Sequence, residues 1–462
     1  MLILVKPTAV HIPEITAYRD EWRAQDSHSH GDGGLYYADD IPAWIEASRL
    51  YENIETIPNP NHVPGSQFML MREGDDRILG MIALRHYLQD GYLTEHGGHI
   101  GYGVRPTERR KGYAKAMLEL CLEECRKLGL KKVLLCCDLD NHGSRATIKA
   151  CGGKFERLGI TGAEVDERYW ITLDVNCESS KEIPNEVDTA DADISADSSD
   201  LAQAPLEAYY GGYDEDGRLL TRHGFVEYLT TMRYVDKYLK KGAKVLEIGA
   251  GTGRYSRTIA DMGYTVDALE LVPSNIEIFR QNMTPGQAIN IAQGNALDLS
   301  MYDNDSYDIT LLLGPMYHLY TAQDKRQAIS EAIRVTKPGG VIFVAYVMSD
   351  PAIVEHFVRK DRNVADLIAR GLVDPITFAT MSRPEDIFEL VRRDDINELM
   401  EPFGVNRLHI VGTNLIARLI RETLVEMDDE EFALYLRYHF AVCERQDMIG
   451  VSSHVLDVFR KG

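Results

Sequence analysis

The sequence predicts an α/β protein of two domains, an N-terminal mixed α+β sheet domain and a C-terminal doubly wound parallel sheet, on three observations. The chain has 462 residues, more than one typical core accommodates. Its composition breaks between Glu178 and Asp200, where eight acids and one base, Lys181, mix with Ser, Ala and Pro and no aromatic residue. On both sides of that break, short apolar strand-like runs alternate with stretches of helical periodicity. The expected organisation is a domain over 1–176, an acidic linker over 177–204 and a second domain over 205–462. An acidic stretch of this kind cannot bury enough apolar surface to offset its ordering entropy.

In the first domain, Gln67–Arg72 and Ile78–Tyr87 read as strands joined by Glu-Gly-Asp-Asp, which is hairpin chemistry. His99–Val104 reads as a third strand. Tyr113–Leu128 sets Ala114, Met117, Leu118, Cys121, Cys125 and Leu128 on one helical face. Gly129 ends that helix, and Lys132–Leu139 resumes as a strand. A helix around Ile41–Tyr51 is expected to wall an acceptor pocket. At the turn between third strand and helix stand Arg109, Arg110, Lys111, Gly112, Tyr113 and Ala114, with Arg105 and Lys115 nearby. Unpaired amides and the positive end of a helix dipole make such a turn an anion site, and Gly112 lets the backbone come close.

In the second domain, Lys244–Ile248 is a short apolar strand that breaks into Gly249-Ala250-Gly251-Thr252-Gly253, and Arg254–Asp261 opens a helix. Glycines here turn the backbone sharply and bring its amides against a ligand. A dinucleotide fingerprint would need a sixth-position glycine where Arg254 stands. Thr265–Leu269 is a second strand, with Glu270 at its end placed to accept from two ribose hydroxyls. Ala288–Ala292 is a third strand, followed by Gly294-Asn295-Ala296. Tyr307–Leu313 is a fourth, running into Gly314-Pro315-Met316-Tyr317-His318. Lys337-Pro338-Gly339-Gly340 precedes a fifth, Val341–Val347. Arg407–Val411 and His454–Arg460 are the last two, and helical stretches over 351–393 and 414–447 are expected to interrupt the sheet as caps.

Glu247-Ile-Gly249-Ala-Gly251-Thr-Gly253 resembles motif I of the class I S-adenosylmethionine (SAM) methyltransferases. That resemblance implies a Rossmann-like seven-stranded methyltransferase domain with helical cap insertions. It also implies SAM contacts from Glu247, Gly249, Gly251, Gly253, Glu270, Asn295, Ala296 and Leu313. The family's usual Asp-Ala is Asn295-Ala296 here. Tyr213, ahead of the motif, is expected to close over the donor. Tyr317 and His318 are the candidate acceptor-side residues, His318 to accept a proton or to orient a substrate carboxylate.

Arg109-Arg-Lys-Gly112-Tyr-Ala114, between strand and helix, resembles motif A of the GNAT acetyltransferases. Acetyl-CoA is the implied cofactor, with Val104 and Arg109–Ala114 as its contacts. Asp140-Asn141-His142-Gly143-Ser144 resembles that family's motif B, in which Asn141 and Ser144 would meet the pantetheine arm. The tyrosine that often protonates the leaving thiolate is replaced by Ile148. Glu95 and His99 are the candidate bases for an amine acceptor, with His96 and His86 behind them, and Tyr102 is a nearby proton donor.

Net charge of −22 argues against a nucleic-acid partner, because phosphate neutralisation needs a basic face. Small-molecule acceptors are expected instead, with no metal. No apolar run approaches 18 residues and the first six are too short for a signal segment, so no membrane span is expected. Seven cysteines without a regular framework are expected to be reduced, and the expected location is the cytoplasm.

Overall fold

The computed structural model describes residues 1–25, 30–59, 62–89, 91–161, 164–173, 215–358, 363–383 and 387–462. The linker over 177–204 and Tyr213 lie outside the described residues.

The N-terminal unit begins with an antiparallel sheet in the order β1 (Leu2–Val5), β2 (Gly65–Arg72), β3 (Gly80–Arg85), β4 (Ile100–Val104). Alternation along β2 sorts its side chains by face. Met69 and Met71 meet Ile15, Tyr18 and Trp22 of α1 (Ile12–Ala24) and Trp44 of α2 (Ile41–Leu50). Phe68 and Leu70 meet Met117, Leu118, Cys121 and Cys125 of α3 (Tyr113–Lys127) on the other face. The predicted stripe of α3 is therefore its buried face at Met117, Leu118, Cys121 and Cys125, while Ala114 is half-buried and Leu128 falls past the helix end and is exposed. A second antiparallel sheet follows in the order β5 (Lys132–Asp138), β7 (Glu164–Thr172), β6 (Lys154–Thr161), with α4 (His142–Ala150) between β5 and β6. The two sheets touch through the residue before β4. The His99 N–H donates to the Leu134 carbonyl at 2.7 Å, and the Leu134 N–H donates to His99 Nδ1 at 2.9 Å. Beyond that point β4 and β5 share no ladder.

The C-terminal unit has one sheet in the order β10 (Ile289–Gln293), β9 (Thr265–Glu270), β8 (Lys244–Ile248), β11 (Tyr307–Leu312), β12 (Thr336–Met348), β15 (His454–Arg460), β14 (Asn406–Gly412). The first five strands are parallel, and β15 is antiparallel to both neighbours. Strand order reverses between β8 and β11, the place where a doubly wound sheet opens a crevice at its carboxyl ends. Helices α5 (Arg222–Asp236), α6 (Arg254–Asp261), α7 (Pro273–Asn282) and α8 (Ala322–Val335) accompany it.

The first cap differs from expectation. Helices α9 (Ser349–Val358) and α10 (Val364–Ala369) form, but no helix spans 370–390 among the described residues. Gly371 is left-handed at φ +71°, and the Asp374 carboxylate takes the amides of Ile376 and Thr377 at 2.9 and 2.6 Å, a local turn that competes with helix. The segment ends as β13 (Leu390–Val391), which pairs with β12.

Candidate functional site

A cavity of about 650 Å³ opens at the carboxyl ends of β8, β9 and β11, lined by the glycine turn, Glu270, Asn275 and the loops after β10 and β11. Glu247, Gly249, Gly251, Glu270, Asn295, Ala296, Leu313, Tyr317 and His318 all line it. The three glycines divide the work differently from the sequence expectation. A Cβ on Gly249 would stand 2.6 Å from Pro315, and one on Gly253 would stand 2.2 Å from the Phe279 ring, so these two serve close packing. Gly251, at φ +54°, has nothing within 4 Å of the Cβ position. It alone gives up side-chain volume to open space.

Glu270 fixes that turn. Its Oε2 accepts from the Gly251 N–H at 2.8 Å, and its Oε1 accepts from the Val272 N–H at 2.9 Å and Asn275 Nδ2 at 3.3 Å. Two carboxylate oxygens offer about four acceptor positions, so capacity remains for a ribose hydroxyl. Burial raises the Glu270 pKa, against the pull of those amides. Glu247, 1% exposed at the end of β8, accepts a short bond from the Ser256 hydroxyl. Burial pushes its carboxyl up to about 8, helped by the Glu270 charge and opposed by Ser256, which leaves it protonated at neutral pH. Asn295 Oδ1 closes a local turn on the Leu297 N–H at 3.0 Å. With three of its acceptor positions taken, Glu270 can accept from one ribose hydroxyl, not the two expected from its place at the strand end.

The loop after β11 is tied to the cap. The Tyr317 carbonyl accepts from the Glu389 N–H at 2.7 Å. His318 donates from Nδ1 to the Ile387 carbonyl at 2.8 Å, packs on Phe388, and is held neutral by burial, its pKa down at about 4. Lys325 Nζ reaches Glu389 at 2.8 Å. His318 is therefore first a tie, a role its sequence position did not reveal. Tyr317 also lines a second chamber of about 460 Å³ under the cap, which shares Arg218, Tyr317 and His454 with the first.

In the N-terminal unit the turn before α3 has the geometry of an anion site. Gly112 caps α3 at φ +84° with nothing within 4 Å of the Cβ position, and Arg110 precedes it at φ +62°. Arg109 stacks on Trp22 at 4.8 Å and Lys111 pairs with Glu108 at 2.9 Å, and all three cations of the turn, Arg109, Arg110 and Lys111, are exposed. Tyr113 bonds Arg72 through its hydroxyl, Ala114 lies in the first turn of α3, and Val104 closes β4 opposite Gly80. Arg105 is a correction. It is 4% exposed and held by Glu14 and Glu21, which makes it a buried anchor for α1 and not a phosphate contact. Asn141 caps α4 by accepting from the Ser144 N–H at 3.0 Å, and the Ser144 hydroxyl bonds the Tyr102 hydroxyl at 3.0 Å. Tyr102 therefore links β4 to α4, its pKa raised to about 12 by burial.

Neither expected base survives the geometry. His99 spends its Nδ1 lone pair on the Leu134 amide, and burial lowers its pKa to about 4. Glu95 is clamped by Arg157 at 2.7 Å and Arg168 at 2.9 Å. The Arg157 hydrogen bond chiefly holds its carboxyl below the usual range. The third candidate, His96, lies beside them in a cluster with two carboxylates. His96 Nδ1 is 2.8 Å from Asp166, whose cross-strand partner is Asp138. Burial would lower the His96 pKa, but the Asp166 bond and charge raise it. Burial and then Asp166 raise Asp138 to about 6. The register of β5 against β7 pairs the two aspartates and His96 reaches Asp166 from the turn before β4, an assembly that no local motif announces. Ile148, in the tyrosine slot, is fully buried in the core below α3.

Among the described residues no group of three or more His, Cys, Asp or Glu side chains is arranged to hold a metal, and no helix is long and apolar enough to cross a membrane.

Comparison with known proteins agrees with both halves. The family described as "Acetyltransferase (GNAT) family" matches residues 21–152, and that described as "Methyltransferase domain" matches 246–344. A demethylmenaquinone methyltransferase of Clavibacter sepedonicus is 30% identical over 111 residues, 24% of this chain and 43% of that protein. A ubiquinone biosynthesis O-methyltransferase of Xanthomonas oryzae pv. oryzae is 27% identical over 131 residues, 28% of this chain and 54% of that protein. The chain thus spans about half the length of these relatives. A solved SAM-dependent methyltransferase from Methanosarcina mazei aligns with TM-score 0.33 and 16% identity, over 49% of this chain and 96% of that one. Motifs, strand order and family matches coincide: the chain joins a GNAT-family acetyltransferase domain in its N-terminal part to a class I SAM-dependent methyltransferase domain in its C-terminal part.

Proposed function

We propose that the protein is a bifunctional transferase, pairing acetyl-CoA-dependent N-acyl transfer with SAM-dependent methyl transfer to small-molecule acceptors. The observation that carries the methyltransferase half is the pairing of Gly251, open to the cavity, with Glu270, which holds the Gly251 amide and keeps acceptor capacity. The sulfonium of SAM supplies the activation when bound, and the residues of this chain orient it and exclude water. An oxygen acceptor is in keeping with the name of the Xanthomonas relative. For the acyltransferase half the supporting feature is the open Gly112 turn at the start of α3, a place for a pyrophosphate.

A second reading rests on specific observations: the N-terminal domain binds acyl-CoA without turning it over. Ile148 is core, and Glu95 and His99 are both engaged. Calorimetric titration of the full chain with SAM and with acetyl-CoA tests both cofactors. Release of free CoA with a panel of amines then separates the two readings. No binding of SAM by folded protein sinks the first half, and acetyl-CoA binding without turnover favours the second reading. A cytoplasmic setting, the absence of a nucleic-acid partner and domain limits at 1–176 and 205–462 belong to the same proposal. The six described cysteines are all free thiols.

A further inference from the structure

The chamber of about 460 Å³ under the first cap meets the donor cavity at a neck made by Arg218, Tyr317 and His454. Its walls are mainly apolar, from Met348, Ile353, Leu367, Leu372, Val373 and Phe388. Its charges are predominantly positive. Arg218, Arg370 and Arg418 line it against a single carboxylate among the described residues, Glu355. That carboxylate is already committed, accepting from Arg418 at 2.8 Å and Arg421 at 2.7 Å. Arg218 is balanced by both oxygens of Glu227, at 3.0 and 3.1 Å. Among the described residues Arg370 makes a long contact to Asp366, 3.5 Å on an exposed face. An ammonium entering this space finds no uncommitted carboxylate among the described residues, whereas an anion meets a surplus of positive charge, Arg370 above all.

The neck is braced from within. The His454 backbone N–H, an obligate donor, points at Asn414 Oδ1 at 3.2 Å, which fixes the amide orientation. Asn414 Nδ2 must then face Glu227 at 3.3 Å and His454 Nδ1 at 3.1 Å. Glu227 Oε2 also stands 3.1 Å from that Nδ1, so Asn414, Glu227 and the His454 ring form one buried polar cluster. Burial keeps the ring neutral, its pKa lowered to about 4 in spite of Glu227.

We propose that this chamber is the methyl-acceptor site and that it takes an organic acid as its oxyanion, a carboxylate or an acidic phenol on a mainly apolar body. The inference rests on the methyltransferase reading above. An oxygen lone pair forms the new bond to the methyl carbon as the carbon–sulfur bond breaks, its electron pair passing to sulfur. Anion and sulfonium become a neutral ester or ether and a neutral thioether. No proton is removed, and the chain needs no general base.

The test is calorimetry on the full chain saturated with S-adenosylhomocysteine, at pH 8, with 3-phenylpropanoate, 4-nitrophenolate, 3-phenylpropanol and 3-phenylpropylammonium. At least one anion is expected to bind tenfold or more tightly than the ammonium, and the tighter anion names the acid class. Arg370→Gln, an exposed change that leaves the core alone, should weaken that anion severalfold. Ammonium binding as tight as both anions, or no binding of either anion, overturns the acceptor class. Failure of S-adenosylhomocysteine to bind, seen in the same titration, would fault the donor reading instead.

Discussion

Replacing Glu270 by glutamine probes the donor site at its most constrained atom pair. The carboxylate accepts from the Gly251 N–H at 2.8 Å, the Val272 N–H at 2.9 Å and Asn275 Nδ2 at 3.3 Å, and it lines the donor cavity. Glutamine keeps the shape and one acceptor oxygen, but its NH2 group must face one of two backbone N–H donors, and its charge is gone. A hydrogen bond to a charged group is worth about 1.5–3 kcal/mol, so losing one ribose bond of that kind weakens SAM by about 10- to 150-fold. Calorimetric titration with SAM reads this directly, with a melting curve on the same sample as the folding control. Glu270→Ala should do more, because it also strands the Gly251 and Val272 amides, at about 1–3 kcal/mol for each that stays buried. The methyltransferase transition should then fall by about 2–4 °C per kcal/mol lost. Unchanged SAM affinity in folded Glu270→Gln protein would refute the assignment of this carboxylate to the ribose.

Gly112→Val should abolish acetyl-CoA binding, since a branched side chain at φ +84° both strains the turn and fills the open space before α3; Arg110→Ala should only weaken it, by an amount that shrinks with added salt. Titration of acetyl-CoA at two ionic strengths checks both. Glu247 has a folded pKa of about 8, above its unfolded value, so folding takes up a proton and stability falls as pH rises from about 4.5 to 8. Glu247→Gln, which stays neutral beside Ser256, should flatten that slope in melts between pH 5 and 9, and an identical slope would show that the carboxyl titrates normally. Ile148→Tyr should not create an acetyltransferase acid: the site is fully buried core, and overpacking costs about 1–3 kcal/mol, visible as a lower melting temperature without faster CoA release.

What could be read from the sequence was local. The glycine turn, the acid ending β9 and the strand limits of β8 and β15 depend on neighbours within a few residues, where backbone chemistry decides. The first strand escaped notice because Leu2–Val5 reads as four apolar residues with no period, and only pairing with β2 makes it an edge strand. The β6–β7 hairpin was likewise unread. Roles that depend on distant partners were misjudged. Arg105 looked like part of a phosphate cluster because the sequence does not show Glu14 and Glu21 folding over it. His99 looked like a base because its bond to Leu134 joins two sheets that no motif connects. The cationic lining of the second chamber comes from residues 218, 370 and 418, spread over the whole domain.

The ties between the loop after β11 and the cap bear on how such a chain could change its acceptor. The Tyr317 carbonyl, the His318 ring and the Lys325 ammonium grip residues 387–389 from the sheet side. None of the three uses the glycine turn or Glu270. Sequence drift in the cap can therefore resculpt the acceptor chamber while the nucleoside seat stays as it is. A cap borrowed from a relative would have to bring a carboxylate for Lys325, or Lys325 would have to be exchanged with it, because an orphaned buried ammonium costs about 3–5 kcal/mol. Grafting residues 349–391 with and without a matched residue at 325 would expose that coupling in the stability of the hybrids.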